Sequence, residues 1–260
     1  MAGQRPSFHD FRRRLVAHEH MLGTFIKTPT THATEMLGSI GFDFVVFDQE
    51  HAPLTASHLD MMILAARASN IAGIVRVPSA RPDAILTVLD CGASGVLVPH
   101  VADVATAEAV VAACRYASGK RGFANTTRAG AFGSVSFEDH KRQQDDEIAV
   151  VAMIEDIDAL DHIDRIVQVE GLDAIFIGRG DLTAAIGASS MSSDETMNIV
   201  DPIMQAARKV GLPIIMLCAD RQDAENMAGR GASCFLTQSD HGFLRTAAIA
   251  ALKEFSPPIG

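Results

Sequence analysis

The sequence predicts a single (β/α)₈ barrel, and three observations point to it. Its 260 residues match the roughly 250 of one such barrel. Eight short, β-branched runs alternate with helix-length amphipathic stretches along the chain. Each run is continuously apolar rather than alternating, which suits parallel strands covered on both faces. A doubly wound sheet would share the alternation, but the chain has no glycine fingerprint of a nucleotide site. Neither linker nor low-complexity segment interrupts it, so one domain is expected over residues 1–260.

The elements follow in order. Leu22–Ile26 is the first strand, with a helix capped at Thr30-Thr31 and running to about Ser39. Phe44–Asp48 is the second strand, and Thr55–Ser69 is its helix. Ile74–Val77 is the third; Pro82 then opens a helix to about Cys91, since proline suits a first helical turn. Gly95–Val98 is the fourth, followed by a helix over Asp103–Ala117 behind an Asp cap. Residues 118–144 are too long for an ordinary connection and read as a functional loop containing some helix. Ala149–Ile154 and Ala174–Ile177 are the fifth and sixth strands. Ile157–Val169 is the helix between them, and Gly178–Ser193 is a loop or short helix. A helix over Glu195–Val210, a strand at Pro213–Leu217 and a helix over Arg221–Arg230 come next. A strand at Cys234–Thr237 and a terminal helix over His241–Glu254 complete the count.

Composition narrows the function. Hydrophobic residues make up 48% and aromatic ones only 5%, so the core is built from aliphatic side chains and Met. A net charge of −10 argues against nucleic acid, which needs Lys and Arg against phosphates. A small anionic substrate stays open, because one buried Arg can hold it locally. Four scattered cysteines in apolar segments read as reduced, buried thiols of a cytoplasmic protein. The charged N-terminus does not read as a signal peptide, and no stretch reaches the length of a membrane span.

Barrel chemistry collects at the C-terminal ends of the strands, and the uncommon polar residues fall there. The second strand runs into Asp48-Gln49-Glu50-His51, the third carries Arg76, and the fourth ends at His100. The fifth ends at Glu155-Asp156, the sixth at Gly178-Arg179-Gly180-Asp181 and the eighth at Gln238-Ser239-Asp240. Arg76 is either one half of an ion pair at the barrel mouth or a bidentate receptor for a carboxylate. Glu155 and Asp181 follow adjacent strands and could converge on a hard cation such as Mg²⁺ or Mn²⁺, or serve as caps and loop salt bridges. Asp156 reads as the cap of the following helix. His51, three residues after Asp48, is an oriented base or a plain loop histidine. His100 is placed similarly, with no nearby acid to orient it. Of five lysines only Lys27 approaches the mouth, which points away from imine chemistry.

The segments FDFVVFDQEH, IVRVP, GVLVPHV, KRGF…TRAGAFG, VVAMIED and DAIFIGRGDL together resemble the HpcH/HpaI aldolase family, over roughly residues 20–240. The resemblance implies a divalent-metal-dependent (Mg²⁺, Mn²⁺ or Co²⁺) aldolase joining pyruvate, as its enolate, to an aldehyde. It also implies roles. Glu155 and Asp181 are the metal ligands, and Arg76 holds pyruvate. His51 is the catalytic base and Asp48 the acid that orients it, while the backbone of Gly178–Asp181 receives a carboxylate. A hexamer or trimer is implied, its C-terminal helix packed on a neighbouring subunit. Two departures stand out. Met153 replaces a Gln common two residues before the metal-binding Glu, and G-R-G-D-L replaces G-P-x-D-L, so that Arg179 adds a cation near the mouth. The competing expectations are a CoA-thioester lyase of the same superfamily, a phosphate-handling barrel and a non-catalytic ketoacid-binding barrel. The last two fit less well. The residues after the eighth strand make a poor phosphate cradle, and the Asp48/His51/Arg76/Glu155/Asp181 set is intact.

Overall fold

In a computed structural model, which describes residues 7–256, eight parallel strands close into a barrel in sequence order. They are β1 (Met21–Ile26), β2 (Phe44–Asp48), β3 (Ala72–Arg76), β4 (Gly95–Val98), β5 (Ala149–Ile154), β6 (Ala174–Ile177), β7 (Ile214–Cys218) and β8 (Cys234–Ser239). The expected (β/α)₈ architecture is present. The two ends of the expected 1–260 domain lie outside the described residues.

Strand side chains alternate between two faces, and here both faces are apolar. Phe44 and Val46 of β2 join the barrel interior with Phe25, Ile74, Leu97, Val151, Met153, Phe176 and Leu236. Val45 and Phe47 face the helical layer with Val75, Val96, Val150 and Ile175. This two-residue period fixes the site. The inward series Met21, Phe25 points on to Lys27; Phe44, Val46 to Asp48; Ala72, Ile74 to Arg76. Ala149, Val151, Met153 point on to Glu155, and Ala174, Phe176 to Gly178. The close approach of β1 and β2 requires Gly23, where a Cβ would meet the Phe44 ring at 2.5 Å.

The flanking helices are capped as their sequences dictate. Thr30 accepts from the His32 amide, Thr55 forms a reciprocal capping box with His58, and Asp103 accepts from the Thr106 amide. Two differences from the sequence reading have clear causes. A helix at Phe11–Val16, unforeseen among its charges, turns Phe11 and Leu15 inward. They plug the barrel floor, with Phe11 stacked at 5.3 Å on Phe44. The Ile157–Val169 helix breaks into a 3₁₀ turn at Ile157–Asp161 and one α-turn at Ile163–Ile166. Residues 118–144 do hold some helix, a 3₁₀ turn at Arg128–Gly133 and the start of Phe137–Glu147. The four cysteines are unpaired, and burial pushes the Cys114 and Cys218 thiols up to about 12. Among the described residues no helix is long and apolar enough to cross a membrane.

Candidate active site

The inward positions just past the strands open into a cavity of about 330 Å³. Lys27, Arg76, Met153, Gly178, Asp181 and Gln238 are among the residues lining it.

Asp48 is fully buried and forms the hub of its charged wall. Arg76 donates to it twice, Nε to Oδ1 at 3.0 Å and Nη2 to Oδ2 at 2.8 Å, and Lys27 Nζ lies 3.1 Å from Oδ2. Burial by itself would raise the Asp48 carboxyl. The hydrogen bonds and charge of Arg76, with the His51 amide and Lys27, outweigh it and hold the carboxyl below its usual range. Arg76 also stacks 4.9 Å from the Phe25 ring and approaches Glu50 Oε2 with Nη1 at 3.3 Å.

His51 corrects one expectation. Asp48 does not orient its ring; Asp48 Oδ1 accepts the His51 backbone N–H at 3.0 Å. The imidazole is more than half exposed, and its Nε2 lies 3.7 Å from Glu50 Oε2. The bend that follows β2 returns the amide, not the ring, to the carboxylate.

Glu155, just past β5, is 4% exposed. Burial pushes its carboxyl up to about 7. The amide and charge of His100 oppose the rise, while Glu50 and Asp181 add to it. The His100 N–H donates to Glu155 Oε1 at 2.9 Å. Gly178 packs against the same side chain so closely that a Cβ there would meet Glu155 Cβ at 2.6 Å and Oε2 at 3.1 Å. Asp181 is exposed in the first turn of the helix Arg179–Ala185 and shares the cavity.

His100 overturns a second expectation, for three acids flank it. Its Nδ1 lies 3.2 Å from both carboxylate oxygens of Asp156 and 3.4 Å from Glu155 Oε1, and its Nε2 is 3.7 Å from Glu50 Oε1. Burial works against a charge on the ring, but Asp156, Glu155 and Glu50 prevail and raise its pKa. Asp156, expected as a helix cap, makes no capping hydrogen bond and faces His100 instead.

Arg179 is the third correction. Its guanidinium is buried, donates to both oxygens of Asp223 at 2.9 and 2.6 Å and to the Leu217 carbonyl at 2.6 Å. It braces the wall of the cavity and adds no free cation at its mouth. Of the backbone segment Gly178–Asp181, the Gly178 N–H is already given to Ile154, which leaves the first-turn amides of Arg179, Gly180 and Asp181.

The donor set fits a divalent cation. Glu50, His100 and Glu155 each offer an atom within 4.8 Å of the others. Glu50 Oε2 is buried without a hydrogen-bond partner among the described residues, although Arg76 Nη1 faces it at 3.3 Å, and Glu155 is a buried carboxylate that a cation would relieve. Glu50 was overlooked in the sequence because parity places position 50 among the inward residues only if the strand is continued beyond Asp48.

Known proteins resemble this chain along most of its length. A family model described as HpcH/HpaI aldolase/citrate lyase matches residues 21–247. A 5-keto-4-deoxy-D-glucarate aldolase of Klebsiella pneumoniae is 34% identical over 239 residues, 91% of this chain and 93% of that protein. Among solved structures, an HpcH/HpaI aldolase/citrate lyase family protein from Burkholderia cenocepacia J2315 superposes with a TM-score of 0.89 at 25% identity, covering 95% of this chain and 98% of its own. The citrate synthase SbnG gives a TM-score of 0.85 at 32% identity, covering 94% and 96%.

Proposed function

The chain belongs to the HpcH/HpaI aldolase/citrate lyase family and is a carbon–carbon lyase, and we propose that it cleaves and forms 4-hydroxy-2-oxo acids through the enolate of pyruvate, with a divalent cation as cofactor. One observation carries this reading: Arg76 and Asp181 line a single small cavity, and Glu155, from a third strand end, lies close enough to Asp181 to feel its charge. Glu155 and Asp181 would hold the cation, with Glu50 beside them. When bound, a cation such as Mg²⁺, Mn²⁺ or Co²⁺ supplies Lewis acidity to the substrate's keto oxygen.

The protein's own groups do the rest. Arginine has five N–H donors; Asp48 takes two from Arg76 and fixes the plane in which the others meet the pyruvate carboxylate. Because Asp48 locks the guanidinium before substrate arrives, little is reorganised when charge develops. The first-turn amides of Arg179, Gly180 and Asp181 add N–H donors to the same carboxylate. In the cleavage direction, His51 accepts the proton of the C4 hydroxyl. The C3–C4 bond breaks, its electron pair passes into the enolate, the aldehyde leaves, and C3 takes up a proton. Apolar Met153 and Phe176 line the floor and exclude water from that carbon.

The helix Asp240–Phe255 buries none of its residues, and leaves Leu244 71% and Phe255 82% exposed. On this reading it packs against a second copy of the chain, in a trimer or hexamer. Unpaired cysteines fit a cytoplasmic setting.

The test is ¹H NMR of pyruvate in D₂O with purified protein and Mn²⁺ or Mg²⁺, repeated with EDTA. Metal-dependent loss of the methyl signal is expected, followed by turnover of a keto-deoxy sugar acid of the kind named for the relatives. A methyl signal that persists with every cation would overturn the proposal.

A further inference from the structure

We propose that His100 is a further ligand to the cation, held for that task by Asp156, and that it turns the site from Mg²⁺ toward Mn²⁺ and Co²⁺. This rests on the metal-dependent reading above and adds to it a residue and a selectivity.

The first support is where the backbone puts His100. Val98 packs outward, into the helical layer, and the inward series of β4 ends on Leu97. An extended continuation would send position 100 outward again. The residue instead takes a left-handed φ of +56°, uncommon for non-glycine residues although less so for histidine, asparagine and aspartate. That turn lays the amide on Glu155 Oε1 and the ring against Glu50 and Glu155.

The second is the direction of the two ring nitrogens. Nδ1 is equidistant, at 3.2 Å, from both oxygens of Asp156. A proton on Nδ1 is the one this carboxylate accepts, and Nε2 then carries the lone pair. Nε2 faces Glu50 Oε1 at 3.7 Å. A proton or a cation must lie between that nitrogen and the carboxylate oxygen, and a bound cation would take the lone pair in the proton's place. A carboxylate that grips one imidazole nitrogen while the other binds metal is the usual outer partner of a ligating histidine. Asp156 leaves the adjacent helix uncapped and takes that place.

The third is the chemistry of the set. Two carboxylates and an imidazole make a mixed oxygen–nitrogen site. Mg²⁺ is served by oxygen and water, whereas imidazole nitrogen adds most for the later first-row ions.

The probe is Mn²⁺ itself, bound to the purified, EDTA-stripped protein. Free Mn²⁺ is read by electron paramagnetic resonance, and the bound ion by electron spin echo modulation. Wild type is expected to show ¹⁴N modulation from a directly bound imidazole. His100→Phe should lose it and bind Mn²⁺ at least about tenfold more weakly, while Mg²⁺ affinity, read by competition, moves far less. Asp156→Asn should keep the ¹⁴N signal but weaken Mn²⁺ by about 10- to 100-fold. His100→Asn, which tolerates a left-handed backbone, guards against misfolding and should match His100→Phe in affinity. Bound Mn²⁺ without ¹⁴N modulation in wild type, or unchanged affinity in His100→Asn, overturns the assignment. If Glu155→Gln abolishes Mn²⁺ binding while both His100 variants retain it, only this inference falls. If wild type binds no Mn²⁺ at all, the metal-dependent reading falls with it.

Discussion

Asp48 and Arg76 stand opposite each other in the register of β2 and β3 and close two hydrogen bonds, at 3.0 and 2.8 Å, with the carboxylate fully buried. The pair therefore has two separable jobs, neutralising a buried charge and aiming a guanidinium into the cavity. Arg76→Ala leaves the buried Asp48 carboxylate with only Lys27 and the His51 amide beside it. Loss of about 3–5 kcal/mol is expected, as for breaking a buried pair from one side, read from the urea midpoint. Arg76→Gln combined with Asp48→Asn removes both charges and should recover much of that stability. Pyruvate binding should stay lost in the double variant, since no planar fork faces its carboxylate. Recovery of binding together with stability would show that Arg76 is purely structural.

Glu155 and Asp181 differ in burial and should fail differently. Glu155→Gln removes a buried carboxylate whose pKa is held up to about 7 by burial, so the stripped protein should be no less stable, and metal-dependent methyl exchange should fall at least about a hundredfold. Asp181→Asn alters an exposed residue, so its melting temperature should be unmoved while exchange falls similarly. EDTA should give wild type the same loss, and added Mn²⁺ should restore wild type alone. Exchange at the wild-type rate in either variant would remove that residue from the ligand set.

How far the site was legible in the sequence follows from strand parity. The inward period runs without interruption through β1, β2, β3, β5 and β6, so Lys27, Asp48, Arg76, Glu155 and Gly178 could be placed at the mouth from the apolar runs before them. What parity cannot give is the direction of a side chain after the strand has ended. Asp48 was expected at the His51 ring but holds its amide. His100 looked free of acids because its partners are 55 and 56 residues away and its left-handed turn leaves no mark in composition. Arg179 read as a cation at the mouth because Asp223, 44 residues on, is invisible to local pattern. The Phe11–Val16 helix escaped notice because three consecutive arginines mask its two buried apolar residues.

His51 makes no side-chain contact to Asp48 and lies at the exposed rim. His51→Ala should therefore leave stability and bound Mn²⁺ unchanged while slowing aldol cleavage by about 10²–10⁴, the usual worth of a positioned proton carrier. Glu50 Oε2 is the carboxylate oxygen near its ring, at 3.7 Å. A His51→Ala protein that cleaves at the wild-type rate would hand the proton transfer to another group.

Arg179 and Asp223 give the clearest pH signature. Burial tends to raise the Asp223 carboxyl, but the Arg179 hydrogen bonds, the Ala219 amide and the Arg179 charge together hold it below its usual range. A folded-state value below the unfolded value of about 4 means that the pair's stabilisation is complete above that pH and is lost as pH falls through the folded value. Asp223→Asn leaves the Arg179 guanidinium buried and uncompensated. At pH 7 it should cost about 3–5 kcal/mol, and the gap from wild type should narrow below about pH 4, where the carboxyl of the unfolded wild-type chain begins to protonate. Arg179→Met with Asp223→Leu fills the same space without charge and should fold at neutral pH, with a midpoint that falls less than wild type's across that window. Its KM for the 2-oxo acid should be close to wild type, because the guanidinium that is removed was turned to Asp223 and Leu217 rather than to the substrate. A large rise in KM at unchanged stability would return Arg179 to the binding site.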